Sequence, residues 1–249
     1  MFSTPKNTIE FRVWGRFAMF ADPLTRVGGE KCSYHIPTYE ALKGIAKSIY
    51  WKPTFIWVID SVRVMKRIRT QTKGTKPLEF GGSSSNTHTL AIYTFLTGDP
   101  DPCPGVEYQV RSHFEWNLHR PELERDRNDG KHYQTALRSL DRGGRQDVFL
   151  GTRDCQGYVE PVEFGSGPGD YDGKGELGFG LMFHSFDYPD ETGGDMLRAS
   201  FWHPQMVDGV VRFPRPETCR KRDVRKMQPK RFGEQDIQTV EREALEWGV

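Results

Sequence analysis

Two proton-carrying side chains stand next to each other in the segment NDGKHYQTALRSL, residues 128–140. Asn128 or Asp129 can cap a helix that begins near Lys131, so that Lys131 and His132 would lie in its first turn. A lysine is unfavourable at the positive end of a helix unless an anion binds there, and a phosphate is such an anion. The pair therefore indicates either an ordinary solvated surface or a site that binds phosphate.

The chemistry that such a site could perform is cleavage of RNA through its own 2′-hydroxyl group. The positive end of the helix should favour the neutral form of His132, and a neutral imidazole can accept a proton from a ribose 2′-hydroxyl. The ammonium group of Lys131 can stabilise the extra charge on a five-coordinate phosphorus, and this chemistry needs no metal. Tyr50 could complete the site if the fold brings two helix ends together. On spacing alone, a surface Lys–His pair remains the alternative.

The helix that would position Tyr50 begins after Thr38, a predicted N-cap. Pro53 ends this helix, because the residue before a proline avoids the helical region, and Tyr50 then lies at the C-terminal end. Apolar residues recur inside it at helical spacing: Leu42, Ile45, Ala46 and Ile49.

The remaining elements predict an α+β fold. Alternating or β-branched segments predict five strands: Ile9–Trp14, Thr54–Met65, Leu90–Leu96, Val106–Trp116 and Asp147–Thr152. The third and fourth of them flank the turn GDPDPCPG and are expected to form a hairpin. With the two helices, and with one strand more than the pattern needs, the order resembles β-α-β-β-α-β. This order predicts a ferredoxin-like domain, similar to RNA-recognition-motif domains, over residues 1–164.

A smaller antiparallel β domain is predicted over residues 165–232. It begins with the glycine-rich stretch GSGPGDYDGKG and continues with strands predicted at Leu177–Asp187, Met196–His203 and Gly209–Phe213. The pair Asp208-Gly209 is a hairpin signal. The glycine pattern at 173–178 has no strand before it and no helix after it, so dinucleotide binding is not expected. Residues 233–249 form an acidic tail, for which a poorly ordered end is expected.

The composition excludes several classes of protein. No stretch of the 249 residues is apolar enough for a membrane helix, and the N-terminus resembles no signal peptide. The four cysteines are scattered and no histidine is spaced to complete a zinc site with them, so no metal site is expected. A cytoplasmic protein without a cofactor fits these features.

The charge is close to balanced, with a formal net charge of +1, but it is unevenly distributed. Six basic residues and no acidic one lie between 63 and 76, and nine basic residues lie between 212 and 231. Such runs can be solvated edges or a surface that binds a polyanion. The residues proposed to contact RNA are Arg26, Lys31, Arg63, Lys66, Arg67, Arg69 and Lys73.

Long segments of the chain strongly resemble CRISPR-associated family five, in the form found in type I-C systems (the "d" variant). The segments are GGEKCSYHIPTYEALKGIAKSIYWKP (28–53), VRSHFEWN (110–117), RNDGKHY (127–133), DVFLGTRDCQGYVEPVEFG (147–165) and FGLMFHSFDYPDET (179–192). The resemblance extends from about residue 9 to about residue 232. It implies a ferredoxin-like N-terminal domain and a small C-terminal β domain.

The resemblance also implies an activity and its residues. Members of this form cut precursor CRISPR RNA at the base of the repeat hairpin without a metal. They then stay on the 5′ handle of the guide RNA, together with the other subunits of the type I-C interference complex. The catalytic tyrosine, lysine and histidine of the family fall on Tyr50, Lys131 and His132. By this chemistry the 2′-hydroxyl attacks the phosphorus, and either Tyr50 or His132 could be the base.

Two other functions are alternatives. The protein could be a guide-RNA-binding scaffold that does not cut, although Tyr50, Lys131 and His132 are all present. It could instead bind DNA or be a metal-dependent nuclease, and an assay with a chelator separates that possibility. Non-specific binding of double-stranded DNA is a further candidate interaction, and no association with a membrane is expected.

Overall fold

The computed structural model describes residues 7–22, 30–75, 91–98, 105–229 and 238–246. The strands are β1 (Thr8–Gly15), β2 (Lys31–Cys32), β3 (Phe55–Val64), β4 (Arg69–Thr75), β5 (Ala91–Thr97), β6 (Val106–Trp116), β7 (Val148–Phe149), β8 (Gln156–Pro161), β9 (Glu176–Gly178), β10 (Met182–Asp187), β11 (Met196–Trp202), β12 (Gln205–Val207), β13 (Val210–Arg212) and β14 (Arg220–Lys226). The helices are α1 (Tyr39–Ile49), α2 (Asp129–Asp141), α3 (Pro189–Thr192) and α4 (Val240–Glu246), with short 3-10 helices at Pro121–Asp126 and Pro216–Thr218.

The strands form three sheets that are almost entirely antiparallel. The largest has eight strands in the order β7-β8-β1-β6-β3-β13-β12-β9. Two three-stranded sheets, β10-β11-β14 and β2-β5-β4, lie beside it, and β2 with β5 is the parallel pair. The helices α1 and α2 pack on the large sheet, α1 against β3 and α2 against β1 and β8. The protein is therefore a mixed α/β fold with few helices.

The strand β1 and the helix α1 both follow from local sequence patterns. Its side chains alternate between buried and partly exposed, and Ile9, Phe11 and Val13 all point into the core. The predicted Thr38 cap of α1 is confirmed, since Thr38 Oγ1 accepts a hydrogen bond from the Ala41 amide at 3.2 Å. Alternation and helical spacing thus identify β1 and α1 from local sequence.

The predicted hairpin between the strands near 90–96 and 106–116 is wrong. β5 pairs with β4 and β2, whereas β6 lies between β1 and β3 and pairs with both of them along most of its length. The central sheet is buried, and β3 and β6 have the apolar side chains that this position requires. The described side chains of β4 are exposed, and β4 belongs with β5 and β2 to a separate sheet.

Two further strand predictions need correction. Within the predicted strand Asp147–Thr152 only the two-residue β7 forms. The second neighbour of β1, beside β6, is instead β8. β8 contains Gly157 and Pro161, which weaken a strand signal. A Cβ atom at residue 157 would lie 3.2 Å from the Trp14 carbonyl oxygen, which explains the glycine by close packing. The predicted strand over Leu177–Asp187 divides into β9 and β10, which belong to different sheets.

Arg63, proposed above as an RNA contact, instead binds the glycine-rich loop. Its side chain is buried, and its guanidinium donates to the carbonyl oxygens of Ser166 at 3.1 Å and Gly167 at 2.9 Å. It also pairs with the Asp172 carboxylate at 2.6 Å. Its donors are therefore directed into the protein, and the proposal for Arg63 is corrected to a structural role.

Replacing Arg63 with alanine is expected to lower the free energy of unfolding by about 2 kcal/mol, because several charge-assisted hydrogen bonds are lost. The expected loss of unfolding free energy is smaller than for a fully buried ion pair, because Asp172 is partly exposed. Urea denaturation measures the change, and Arg67→Ala, an exposed neighbour, is the control, with an expected change within about 0.5 kcal/mol. Equal effects of the two variants would contradict the structural role of Arg63.

Candidate active site

The ends of the two helices meet, as the site hypothesis required. Tyr50 is the C-cap of α1 and His132 lies in the first turn of α2. The Tyr50 hydroxyl and His132 Nδ1 are 2.8 Å apart, which is a hydrogen bond. The side chain of His132 is 0% exposed, and Tyr50 is 1% exposed. Eighty-two residues separate the pair in the chain, so the fold alone brings them into contact.

The second ring nitrogen of His132 identifies its tautomer. His132 Nε2 is 2.6 Å from the backbone carbonyl oxygen of Asp126, which can only accept a hydrogen bond. Nε2 therefore carries the hydrogen, and Nδ1 presents a lone pair. It follows that the Tyr50 hydroxyl donates to Nδ1, so the phenol proton already points towards the imidazole.

Burial sets the protonation of both groups. Removal from water lowers the pKa of His132, and this loss of solvation outweighs the carbonyl and carboxylate of Asp126, which act in the opposite direction. Burial also raises the pKa of Tyr50, and the nearby Glu243 carboxylate adds to the effect. The predicted neutral imidazole is confirmed in direction, although its main cause is burial.

An aromatic wall holds the imidazole in place. The rings of Phe55 and Trp116 lie edge-on to that of His132, with centroid distances of 5.3 and 5.5 Å, and Phe114 lies at 6.3 Å. These residues come from β3 and β6, the two central strands. A packed wall of this kind restricts the ring to one orientation and excludes water from it.

Asp126 organises the far side of the imidazole. Its carboxylate accepts a hydrogen bond from the Thr54 hydroxyl at 2.5 Å and lies 3.4 Å from the ammonium of Lys52. The same carboxylate is 3.6 Å from His132 Nε2. Sequence reasoning missed Asp126, Lys52 and Thr54. One weak signal was available in the sequence: Lys52 stands two residues after Tyr50 in the segment YWKP.

Lys131 lies in the first turn of α2, as predicted. Its backbone amide donates to the Asn128 side chain at 3.1 Å, which confirms Asn128 as the cap of α2. Its side chain is 44% exposed, and the ammonium lies 3.7 Å from a carboxylate oxygen of Glu241. Lys131 therefore faces solvent and α4, whereas His132 faces the core.

Residues 238–246 of the acidic tail pack against the site, which corrects the expectation of a poorly ordered end for this part of the tail. These residues include α4, whose Val240 amide donates to the Asp126 carboxylate at 2.5 Å. Glu243 of α4 pairs with Arg145, whose guanidinium lies 4.5 Å from the centre of the Tyr50 ring. Local sequence suggested disorder because the segment is acidic and short, but long-range ion pairs hold it against the site.

The proposed RNA contacts occupy several places. Arg26 lies outside the described residues. Lys31 is partly buried, with its ammonium 4.7 Å from the centre of the Tyr93 ring, and Lys66 is also partly buried. Three others, Arg67, Arg69 and Lys73, are exposed on and beside β4. Within the second basic run, Arg220–Lys226 form β14, an edge strand whose residues are all exposed.

Within the described residues, no group of three or more His, Cys, Asp or Glu side chains is placed to hold a metal ion. In the same part of the chain, no helix has the length and apolar character to cross a bilayer.

Comparisons with known proteins agree on one family. Residues 8–214 match the family model Cas5d, described as CRISPR-associated protein, Cas5. A protein named CRISPR pre-crRNA endoribonuclease Cas5d from Mannheimia succiniciproducens is 25% identical over 225 residues, covering 84% of this chain and 95% of its own length. A Thermus thermophilus protein with the same name is 24% identical over 196 residues, covering 74% of this chain and 76% of its own.

Solved structures show the same similarity. A crystal structure described as a CRISPR-associated protein superposes with a TM-score of 0.69 at 32% identity, covering 85% of this chain and 94% of that one. A functionally uncharacterized protein from Streptococcus mutans gives a TM-score of 0.68 at 35% identity, with the same coverage of both chains.

Proposed function

The chain belongs to the CRISPR-associated Cas5 family in its Cas5d form, and from this premise we propose that it is the endoribonuclease that processes pre-crRNA. The observation that carries the chemistry is the hydrogen-bonded pair of Tyr50 and His132, with the imidazole oriented by the Asp126 carbonyl. A buried neutral histidine with its lone pair directed at a phenol can act as a general base. The substrate is the repeat region of the precursor RNA.

The geometry supports a relay for the first proton. Deprotonated Tyr50 is strongly disfavoured by burial, so the phenol acts by passing a proton on. The 2′-hydroxyl of the substrate gives its proton to the Tyr50 oxygen, while the Tyr50 proton moves to His132 Nδ1. The 2′-oxygen then bonds to phosphorus and the bond from phosphorus to the 5′-oxygen breaks. Water on the open side of the site supplies the proton for the departing 5′-oxygen, which leaves a 2′,3′-cyclic phosphate.

Lys131 supplies the charge for this reaction. Its ammonium is exposed and lies at the start of α2, where the positive helix end also favours an anion. As one further negative charge develops on the two non-bridging oxygens of the five-coordinate phosphorus, a nearby ammonium stabilises the transition state more than it stabilises the substrate. Tyr50, His132 and Lys131 together suffice for cleavage, so metal independence is part of the proposal.

The wider assignment follows from the family. We propose that the protein keeps the 5′ handle after cleavage and works as a subunit of the type I-C complex, with basic side chains of β4 along the RNA. The exposed basic edge β14 offers a second surface for the phosphate backbone, of RNA or of double-stranded DNA. The scaffold function without cleavage is the alternative, and the intact Tyr50–His132 pair favours the enzyme over it.

We also propose a ferredoxin-like N-terminal unit. The strand order β8-β1-β6-β3, with α1 between β1 and β3 and α2 between β6 and β8, supports it. Residues 1–164 would form this unit and residues 165–232 an added β unit, three of whose strands continue the large sheet.

The proposed function is tested by incubating the purified full-length protein with cognate repeat RNA in EDTA. Cleavage at one position, at the same rate with and without EDTA, is expected. Cleavage that stops in EDTA and returns with a divalent metal would contradict metal independence. Tight RNA binding without any cleavage would support the scaffold alternative.

The pH dependence of cleavage follows from the lowered pKa of His132. The base is active when neutral, so the rate is expected to fall on the acid side with an inflection below that of an ordinary histidine, about 6.5. The folded state disfavours protonation of His132. Its contribution to folding stability is therefore present above the ordinary histidine pKa and is lost as the pH falls through the lowered pKa of the folded state. Single-turnover cleavage rates from pH 5 to 8 at constant ionic strength measure the position of the acid inflection. An acid inflection above pH 6.5 would contradict the buried-base assignment.

A further inference from the structure

Three cations around the active site are paired with carboxylates of α4. Glu241 lies 3.7 Å from the Lys131 ammonium, and Glu243 lies 3.4 Å from that of Lys52. Glu243 also pairs with the Arg145 guanidinium. A phosphodiester backbone presents anionic oxygens of the same charge, and lysine and arginine bind them in the same way as carboxylates.

α4 also lies against the neighbours of the reacting pair. Glu243 is close enough to Tyr50 to raise the pKa of its phenol, and the Arg145 guanidinium paired with Glu243 lies over the Tyr50 ring. The Val240 amide, at the start of α4, is bonded to the same Asp126 that orients His132. Tyr50 is almost completely buried while α4 and Arg145 are in this place, so a ribose needs an opening here to contact its oxygen.

The apolar anchor of α4 is small. Val240 and Ala244 are its buried apolar residues, whereas Leu245 is 76% exposed. The second carboxylate oxygen of Glu243 is buried, yet it has no hydrogen-bond partner among the described residues, and it contacts Lys52 only as an ion pair. An element held by ion pairs and a few hydrogen bonds detaches more readily than one held by a large core, and a competing polyanion weakens the ion pairs directly.

We propose that Glu241 and Glu243 of α4 occupy the positions of RNA phosphates, and that Lys52, Lys131 and Arg145 bind the RNA backbone once α4 is displaced. The proposal rests on the proposed function, because it identifies the RNA-binding cations of that same site. It assigns to Lys52 and Arg145 a phosphate-binding role and makes the C-terminal helix an internal competitor of the substrate. Arg138 and Arg142, which line the narrow gap between α2 and α4, would extend the uncovered basic surface.

The test compares RNA binding by the full-length protein and by the double variant Glu241→Gln/Glu243→Gln. The probe is cognate repeat RNA with a 2′-deoxy nucleotide at the cleavage position, so that binding is measured without cleavage. Fluorescence anisotropy at fixed salt is expected to give a Kd about 10-fold lower for the double variant, since two competing charges are removed. Adding Arg145→Ala to the double variant is expected to reverse most of this gain.

The matched control is Glu176→Gln/Glu217→Gln. It removes the same charge from two exposed residues outside the site, so it reports the general electrostatic effect, which is expected to change Kd by less than about 2-fold. Equal or weaker binding by the α4 variant would overturn the proposal, as would an equal gain in the control. Because the probe cannot be cut, this outcome is independent of whether the protein cleaves RNA. A failure of the proposed function would appear only with the all-ribose RNA.

Discussion

Replacing Tyr50 with phenylalanine is expected to lower the single-turnover rate of RNA cleavage by about 10²–10⁴-fold. The variant keeps the ring, which packs against Phe55 and under Arg145, and removes only the hydroxyl that donates to His132 Nδ1. The relay then has no oxygen through which the 2′-proton can pass. RNA binding is expected to change by less than about 2-fold, because no charge is altered.

Tyr39→Phe is the matched control for this variant. Tyr39 is a second buried tyrosine of α1, and its ring stacks on His184 rather than contacting His132. Losing its hydroxyl should leave the cleavage rate unchanged. A Tyr50→Phe variant that cuts as fast as Tyr39→Phe would remove the phenol from the mechanism and leave His132 to act on the substrate directly.

Replacing His132 with alanine is expected to abolish detectable cleavage, a loss of at least about 10³-fold, because no other described base contacts Tyr50. Alanine would also leave a cavity among the aromatic rings and an unpaired Asp126 carbonyl. The free energy of unfolding is therefore expected to fall by about 2–4 kcal/mol. Cleavage rate and thermal unfolding must be measured together.

His132→Asn separates the two effects. Its side-chain amide can still donate a hydrogen bond, as the Asp126 carbonyl requires, but it is not basic enough to take a proton. This variant is expected to fold, to bind RNA as the parent does and to cut no faster than His132→Ala. Cleavage by a folded His132→Asn protein within about 10-fold of the parent would show that His132 is not the base.

The parts of this structure that depend on local sequence were predictable. The alternation in β1 and the spacing, cap and proline around α1 indicated both elements, and the Asn128 signal indicated the start of α2. The Asp208-Gly209 turn also forms, and it joins β12 to β13. In each case the pattern indicates which side of one element is buried, or how the backbone hydrogen bonds at its end are made. Both features depend on residues that are close in the sequence.

The parts that depend on distant pairing were not predictable. β3 pairs with β6 across more than forty residues, and the rule that successive strands pair could not anticipate this. In the same way, Lys52 meets Glu243, and Arg145 meets Tyr50, only because α4 and α2 are brought beside α1. The charge of the tail was visible in the sequence, but its partners were not.

The central claim is that the 2′-hydroxyl of the RNA is the nucleophile and that His132 receives its proton through Tyr50. The most direct test is cleavage of cognate repeat RNA with a single 2′-deoxy substitution at the cleavage position, beside the all-ribose RNA, with analysis of the product ends. The proposed mechanism predicts no cleavage of the substituted RNA and a 2′,3′-cyclic phosphate on the product of the other. Cleavage of the 2′-deoxy RNA at the same position would contradict it.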